Sequence, residues 1–132
     1  MIGLDTDILV RYLTQDEPRQ SAAASQLIEN HCSPSTPGHI SQIVLCELIW
    51  VLGRAYGYEK PQLIHLLEQL LITAELDIEG EELAWKALTV WRDGPADFSD
   101  YLLTLSNQAA GCERTYSFDS RLARHPDVFQ PE

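Results

Sequence analysis

Apolar positions along the chain alternate between short clusters and stretches with helical periodicity. Short apolar clusters bounded by polar or turn residues predict strands, and apolar residues that recur with the period of a helix predict helices. The predicted strands cover residues 1–4, 39–40, 76–78 and 114–118. Because these strands alternate with helical segments, the pattern predicts an α/β fold with a parallel sheet.

Helical periodicity predicts five helices and two short helical turns. The helices cover residues 17–31, 41–56, 61–72, 81–91 and 97–110, and the turns cover 8–13 and 121–124. Pro18 suits a first helical turn, whereas Gly57 and Gly111 are placed to end the helices before them. The length of 132 residues fits a single domain, which we assign to residues 1–132.

The net charge of −11 changes the range of functions that fit. Proteins that bind nucleic acid usually contact phosphates through Lys and Arg, and this chain has only nine of them. Two interpretations stay open: the acids form a solvated surface, or some of them cluster to bind metal cations. The three cysteines form no paired motif, and we expect a reducing cytoplasm, with no signal peptide and no membrane-spanning segment.

Two of the acids follow predicted strands directly, Asp5 after the first and Asp119 after the last. In open parallel sheets, the carboxyl ends of the strands form the ligand crevice, so both carboxylates are expected at the same edge. An Asp in such a position also serves as a turn or helix cap. Either role remains open for each residue alone.

Glu47 lies inside an apolar run at residues 43–52, which predicts a helix that is buried on all sides. A buried carboxylate is paired with a cation or coordinates a metal, because the loss of its hydration costs several kcal/mol. With few basic side chains available, the metal interpretation is favoured. The alternative is a Glu that reaches solvent or a basic partner.

Asp97 and Asp100 stand three positions apart at the start of a predicted helix, where they share a face. Either is able to cap the helix, and either is able to bind a ligand. Together with the other acids they form a set of oxygen donors from remote segments. Such donors select Mg²⁺ or Mn²⁺, which support phosphodiester hydrolysis and reverse a local negative field.

Four segments in this order resemble the motifs of the PIN-domain family. They are Leu4-Asp5-Thr6-Asp7, Glu47 with the apolar helix after it, Asp97-Phe98-Ser99-Asp100-Tyr101 with Ala109-Ala110-Gly111, and Ser117-Phe118-Asp119. The resemblance extends over nearly the whole chain, and the length is similar to that of VapC-type toxins. It implies a three-layer α/β/α fold with a central, mostly parallel sheet.

The resemblance also implies the site and its use. It assigns Asp5, Glu47, Asp100 and Asp119 as catalytic, metal-binding acids, with Asp97 as a fifth ligand and with Thr6 and Ser117 as polar support. Asp7 stands where Asn is common in the family. Relatives of this kind are Mg²⁺- or Mn²⁺-dependent endoribonucleases that cut RNA, often as homodimers, and each is silenced by a cognate antitoxin.

Two other functions remain as alternatives. Asp5-Thr6-Asp7 has the spacing of aspartyl-phosphate hydrolases, in which one acid is the nucleophile and the next is the acid or base. Leu9 stands where that motif has Thr, which counts against this function. The second alternative is a catalytically silent PIN-like module that binds only a protein partner.

Overall fold

Two groups of helices and strands make up the computed structural model, which describes all 132 residues. The first unit covers Met1–Glu81 and the second covers Glu82–Glu132. Both units mix helices with strands, and every strand pair is parallel. The predicted α/β class with parallel strands is therefore confirmed. None of the helices combines the length and the apolar content that crossing a membrane requires.

Three strands and four helices form the first unit. In chain order they are β1 (Ile2–Gly3), α1 (Thr6–Thr14), α2 (Pro18–His31), β2 (Gly38–Ile40), α3 (Gln42–Arg54), α4 (Lys60–Ile72) and β3 (Leu76–Ile78). The sheet order is β1-β2-β3, so the strands are neighbours in the order in which the chain makes them. The predicted turn at residues 8–13 is a full helix, α1, because Asp5 caps its first turn.

The core of the first unit lies where α1 packs on α2 and α3, and where α3 packs on α4. Fully buried leucines and an isoleucine fill it: Leu9, Ile40, Leu45, Leu48, Leu52 and Leu67. Gly38 in β2 is needed for close packing, since a Cβ there would lie 2.7 Å from Leu4 Cδ1 and 2.8 Å from Cys32 Sγ. The end of α3 is followed by Gly57 at φ +69°, as a helix stop requires.

Helix α3 is not buried on all sides, and in this respect the sequence-based prediction is wrong. Its buried residues are Leu45, Leu48, Ile49 and Leu52. The opposite stripe of Ile43, Glu47 and Trp50 is exposed, and Trp50 is 60% exposed. Apolar periodicity alone could not reveal this stripe, because two of its three members are themselves apolar.

Two helices, two strands and a single 3₁₀ turn form the second unit. They are α5 (Glu81–Asp93), which begins at the boundary, α6 (Phe98–Ala109), β4 (Thr115–Tyr116), the 3₁₀ turn Leu122–Arg124 and β5 (Val128–Phe129). Strand β4 pairs in parallel with β5. The predicted strand at 114–118 is thus shorter than expected, and β5 was not predicted, because two residues closely following Pro126 are too few to show a period.

The turn between α5 and α6 is held by buried aromatic side chains. The rings of Trp91 and Phe98 have centroids 5.6 Å apart, and the hydroxyl of Tyr101 accepts a hydrogen bond from the Ala96 N–H at 3.1 Å. All four residues are buried. These contacts fix the point at which α6 begins, and two of the candidate site acids lie at that end, Asp97 as the N-cap and Asp100 in the first turn.

Candidate active site

The first acidic cluster consists of Asp5, Thr6 and Glu47, and it lies in the first unit. Asp5 is the N-cap of α1, and its Oδ1 accepts a hydrogen bond from the Thr6 N–H at 2.7 Å. The Thr6 hydroxyl donates to Glu47 Oε2 at 3.2 Å. Thr6 is buried, whereas both carboxylates are exposed. One threonine therefore links two acids that stand 42 positions apart in the chain.

Glu47 reaches this cluster because of where α3 begins. Ser41 caps the helix by accepting a hydrogen bond from the Val44 N–H at 3.3 Å, and this start fixes the face on which each later residue stands. Glu47 is exposed, so the sequence-based prediction that it is buried is wrong. Its side chain is nevertheless held by Thr6, the first residue of α1.

The second acidic cluster consists of Asp97, Asp100 and Asp119, and it lies in the second unit. Asp97 and Asp100 form a capping box at the start of α6, in which the Asp97 N–H donates to Asp100 Oδ2 at 3.2 Å. The capping role that the sequence left open is therefore confirmed for this pair. Burial raises the pKa of Asp100, and the negative charges of Asp97 and Asp119 add to the effect.

Asp119 sits in an environment that favours its charge. Its Oδ1 accepts hydrogen bonds from the backbone N–H of Arg121 at 2.8 Å and of Leu122 at 3.3 Å. These bonds lower the pKa of Asp119, as does the Arg121 guanidinium, whose Nη2 lies 3.6 Å from Oδ2. Ser117 supports the loop, because its hydroxyl accepts a hydrogen bond from the Asp119 N–H at 3.0 Å.

Arg121 is a side-chain contact of this cluster that the sequence did not single out. It forms an ion pair with a candidate site acid, although an exposed arginine usually contributes little through such a pair. The available signal was its position two residues after Asp119, within reach of that carboxylate. A cation at this place partly offsets the repulsion among the acids of the second cluster.

The donors of both clusters fit a hard divalent cation. Carboxylate and hydroxyl oxygens are the ligands that Mg²⁺ and Mn²⁺ select. Thr6 links Asp5 to Glu47, and the negative charge of Asp119 contributes to the raised pKa of Asp100. The structure shows no group of three or more His, Cys, Asp or Glu side chains close enough to hold a metal ion. The predicted acids are therefore present as two clusters, each with oxygen donors only.

Comparison with known proteins identifies the family. The chain matches the PIN domain over residues 2–128, which covers nearly its whole length. No curated protein shows significant similarity to it. PIN domains are generally nucleases, and PIN nucleases generally use divalent metal ions. The mixed α/β architecture with parallel strands agrees with a PIN-like α/β/α fold. The chain belongs to the PIN-domain family.

Proposed function

We propose that this chain is a Mg²⁺- or Mn²⁺-dependent endoribonuclease. The observation that carries the proposal is the family match over residues 2–128, within which carboxylates stand at the positions of all four motifs. The proposal treats the two units as one PIN-like domain, 1–132, because the match spans both of them. Its reaction is hydrolysis of RNA phosphodiester bonds.

In this proposal Asp5, Glu47, Asp100 and Asp119 are the metal ligands, and Asp97 contributes charge while it caps α6. When bound, the metal activates water and stabilises negative charge on phosphate oxygens. The need for a cation is supported by Asp100, whose charged form is disfavoured by burial and by its acidic neighbours. A divalent ion would remove that penalty.

The residues around the acids orient them. Thr6 directs Glu47 Oε2 through its hydroxyl, and Ser117 fixes the backbone of Asp119. Arg121 places a positive charge beside Asp119, and its guanidinium would form a charge-assisted hydrogen bond with an RNA phosphate. Thr6 and Ser117 are positioning residues, Arg121 would contact the substrate, and the carboxylates carry the chemistry.

The physiological role that we propose is that of a VapC-type toxin in the cytoplasm, with RNA as substrate, a cognate antitoxin as inhibitor and a homodimer as the assembled form. Its basis is the order of the motifs along the chain. The acidic surface suits a partner with a basic segment. Co-expression with the neighbouring small open reading frame tests this role: a tight complex supports it, and separate elution of both products contradicts it.

The experiment for the nuclease is cleavage of a structured RNA by the purified chain with Mg²⁺, with Mn²⁺ and with EDTA. The variants are Glu47→Gln and Asp119→Asn, which keep size and hydrogen-bonding ability while they remove charge. The control is Asp93→Asn, an exposed acid at the end of α5 outside both clusters. We expect cleavage that needs metal, falls about 10-fold to 100-fold or more in both variants, and is unchanged in the control.

Other results would point elsewhere. Cleavage that persists in EDTA would exclude metal-dependent hydrolysis. Loss of activity in Asp93→Asn as well would show that bulk charge, rather than the clusters, governs the reaction. A wild-type chain that binds a protein partner but cuts no RNA would favour the catalytically silent module, and turnover of a small phosphate ester would favour the phosphohydrolase.

A further inference from the structure

Three exposed aromatic side chains of the second unit, Tyr116, Phe118 and Phe129, are what we call the aromatic patch: two are paired in the small sheet, and Phe118 follows β4 by two residues. Tyr116 and Phe129 are register partners in β4 and β5, and their ring centroids lie 6.4 Å apart. The preceding register pair, Thr115 and Val128, is buried. The small sheet thus buries one register pair and exposes the aromatic rings of the next.

Phe118 is the most exposed large apolar side chain of the protein, at 83%. The backbone around it is held, since the Ser117 N–H donates to the Phe129 carbonyl oxygen at 3.0 Å and the Asp119 N–H donates to Ser117 Oγ. The core does not require an aromatic ring at this position. Clustered exposed apolar groups of this kind mark interaction sites.

The charges beside the patch favour an anionic occupant. Three of the nine basic side chains, Arg114, Arg121 and Arg124, fall within residues 114–129, where the acids are Asp119 and Asp127. The Arg114 guanidinium carbon lies over the Phe129 ring, 4.6 Å from its centroid, so a cation is held against the patch. In a chain with a net charge of −11, this combination is complementary to a phosphate backbone with planar bases.

We infer that the aromatic patch binds single-stranded RNA by stacking unpaired bases on Phe118 and its aromatic neighbours, while Arg114 contacts a phosphate. The inference rests on the proposed function and adds a base-stacking surface to it. Phe118 precedes Asp119 directly, so a base stacked on its ring brings the adjoining phosphate towards a candidate metal ligand. Bases within a duplex are already stacked on each other, and the patch therefore selects unpaired nucleotides.

The test is the dissociation constant of a short, labelled single-stranded RNA, measured by fluorescence anisotropy with Ca²⁺ in place of Mg²⁺. The variants are Phe118→Ala, Phe118→Leu and Phe118→Trp. The control is Trp50→Ala, because Trp50 is also an exposed aromatic ring with an arginine, Arg54, 5.5 Å from its centroid. Circular dichroism verifies the fold of each variant, and light scattering gives its oligomeric state.

Stacking predicts that Phe118→Ala weakens binding by roughly 5-fold or more. Phe118→Leu weakens it similarly, because it keeps an apolar group but loses the flat ring, whereas Phe118→Trp and Trp50→Ala bind as the wild type does. A duplex of the same sequence binds more weakly than the single strand. Equal affinity of wild type and Phe118→Ala, or full binding by Phe118→Leu, would overturn the inference. A change of oligomeric state without a change in RNA affinity would instead assign the patch to contact between two copies of the chain.

This outcome is separable from that of the nuclease proposal. Metal-dependent cleavage by wild type together with unaltered RNA binding by Phe118→Ala would reject the stacking surface and keep the nuclease. RNA binding that depends on the Phe118 ring, with no cleavage under any metal condition, would keep the surface and reject the nuclease. Absence of any RNA binding by the wild type would overturn both.

Discussion

The carboxylates of the second acidic cluster differ in their surroundings, although they share a short stretch of chain. Asp119 accepts two backbone hydrogen bonds that favour its charge, and its pKa is lowered. Asp100 is half-buried beside other acids, and its pKa is raised. The charge of Asp100 therefore lowers the stability of the folded chain, as is common for residues that are retained for function.

Removal of this charge is expected to stabilise the metal-free protein. Asp100→Asn keeps an oxygen that can accept the Asp97 N–H while it removes the repulsion from Asp97 and Asp119. We expect a higher Tm than that of wild type at pH 7 in EDTA, measured by thermal unfolding. Asp93→Asn serves as the control for a general effect of net charge, and a lower Tm for Asp100→Asn would contradict this account.

Thr6 is the link within the first acidic cluster, so its hydroxyl is expected to matter for metal binding more than for folding. Thr6→Val removes the bond to Glu47 Oε2 and keeps the shape of a buried side chain. We expect the affinity for Mn²⁺ to fall by about 10-fold or more, with a stability loss of only about 1 kcal/mol. Thr6→Ser retains the hydroxyl and should retain the affinity; equal loss in both variants would argue against the hydroxyl.

Among the helices, α3 has one face in the core and carries the candidate site residue Glu47 on the opposite, exposed face. Leu48 is fully buried, and Glu47 beside it in the sequence is exposed. The sequence predicted the helix and its approximate ends, because Ser41 and Gly57 are clear boundary residues. It could not assign the faces, since Ile43 and Trp50 are apolar in sequence but are exposed in the fold.

This assignment of faces predicts unequal effects of two similar truncations. Leu48→Ala should lower the free energy of unfolding by about 2–5 kcal/mol, because it opens a cavity in the core. Ile43 lies on the exposed stripe and is 72% exposed. Ile43→Ala should therefore change the free energy of unfolding by less than about 0.5 kcal/mol. Urea unfolding monitored by circular dichroism measures both free energies. Equal losses would contradict this assignment and would support a helix that is buried on all sides.

A polar network joins the end of α3 to the turn between α1 and α2. The Tyr56 hydroxyl donates to Asp16 Oδ2 at 2.7 Å and accepts from Arg11 Nη1 at 2.9 Å, and the Thr14 hydroxyl donates to Asp16 Oδ1 at 2.7 Å. The bond from Tyr56, with help from Thr14, lowers the pKa of Asp16 below its usual value of 3.8. The network therefore depends on the charged form of one carboxylate.

The pH dependence of this network follows from the sign of the shift. A lowered pKa in the folded state means stability that is present above the usual pKa and is lost as pH falls through the folded value. We expect Tyr56→Phe to lower Tm at pH 7, and we expect the difference from wild type to shrink below a pH of 3.8. Tyr58→Phe is the matched control, and a difference that grows in acid would contradict the assignment.

Across the whole molecule, the order of elements could be predicted from the sequence better than the assembly of the site. The period of the apolar residues and the positions of Gly57 and Gly111 define most of the helices. Strand β5 was not predicted, because two residues are too few to show a period. Its pairing with β4 depends on the tertiary fold. The sequence named the acids, but Thr6 as the link and Arg121 as the counter-charge depend on distances that no spacing reveals.

The central claim is that the acids of each cluster are needed to bind a divalent metal ion, and Mn²⁺ binding followed by electron paramagnetic resonance tests it most directly. The titration compares the wild type with Glu47→Gln from the first cluster, Asp119→Asn from the second, and Asp93→Asn as control. The account predicts that both cluster variants lose affinity by about 10-fold or more and that the control does not. Loss in only one of the two cluster variants, or wild-type affinity in both, would contradict it.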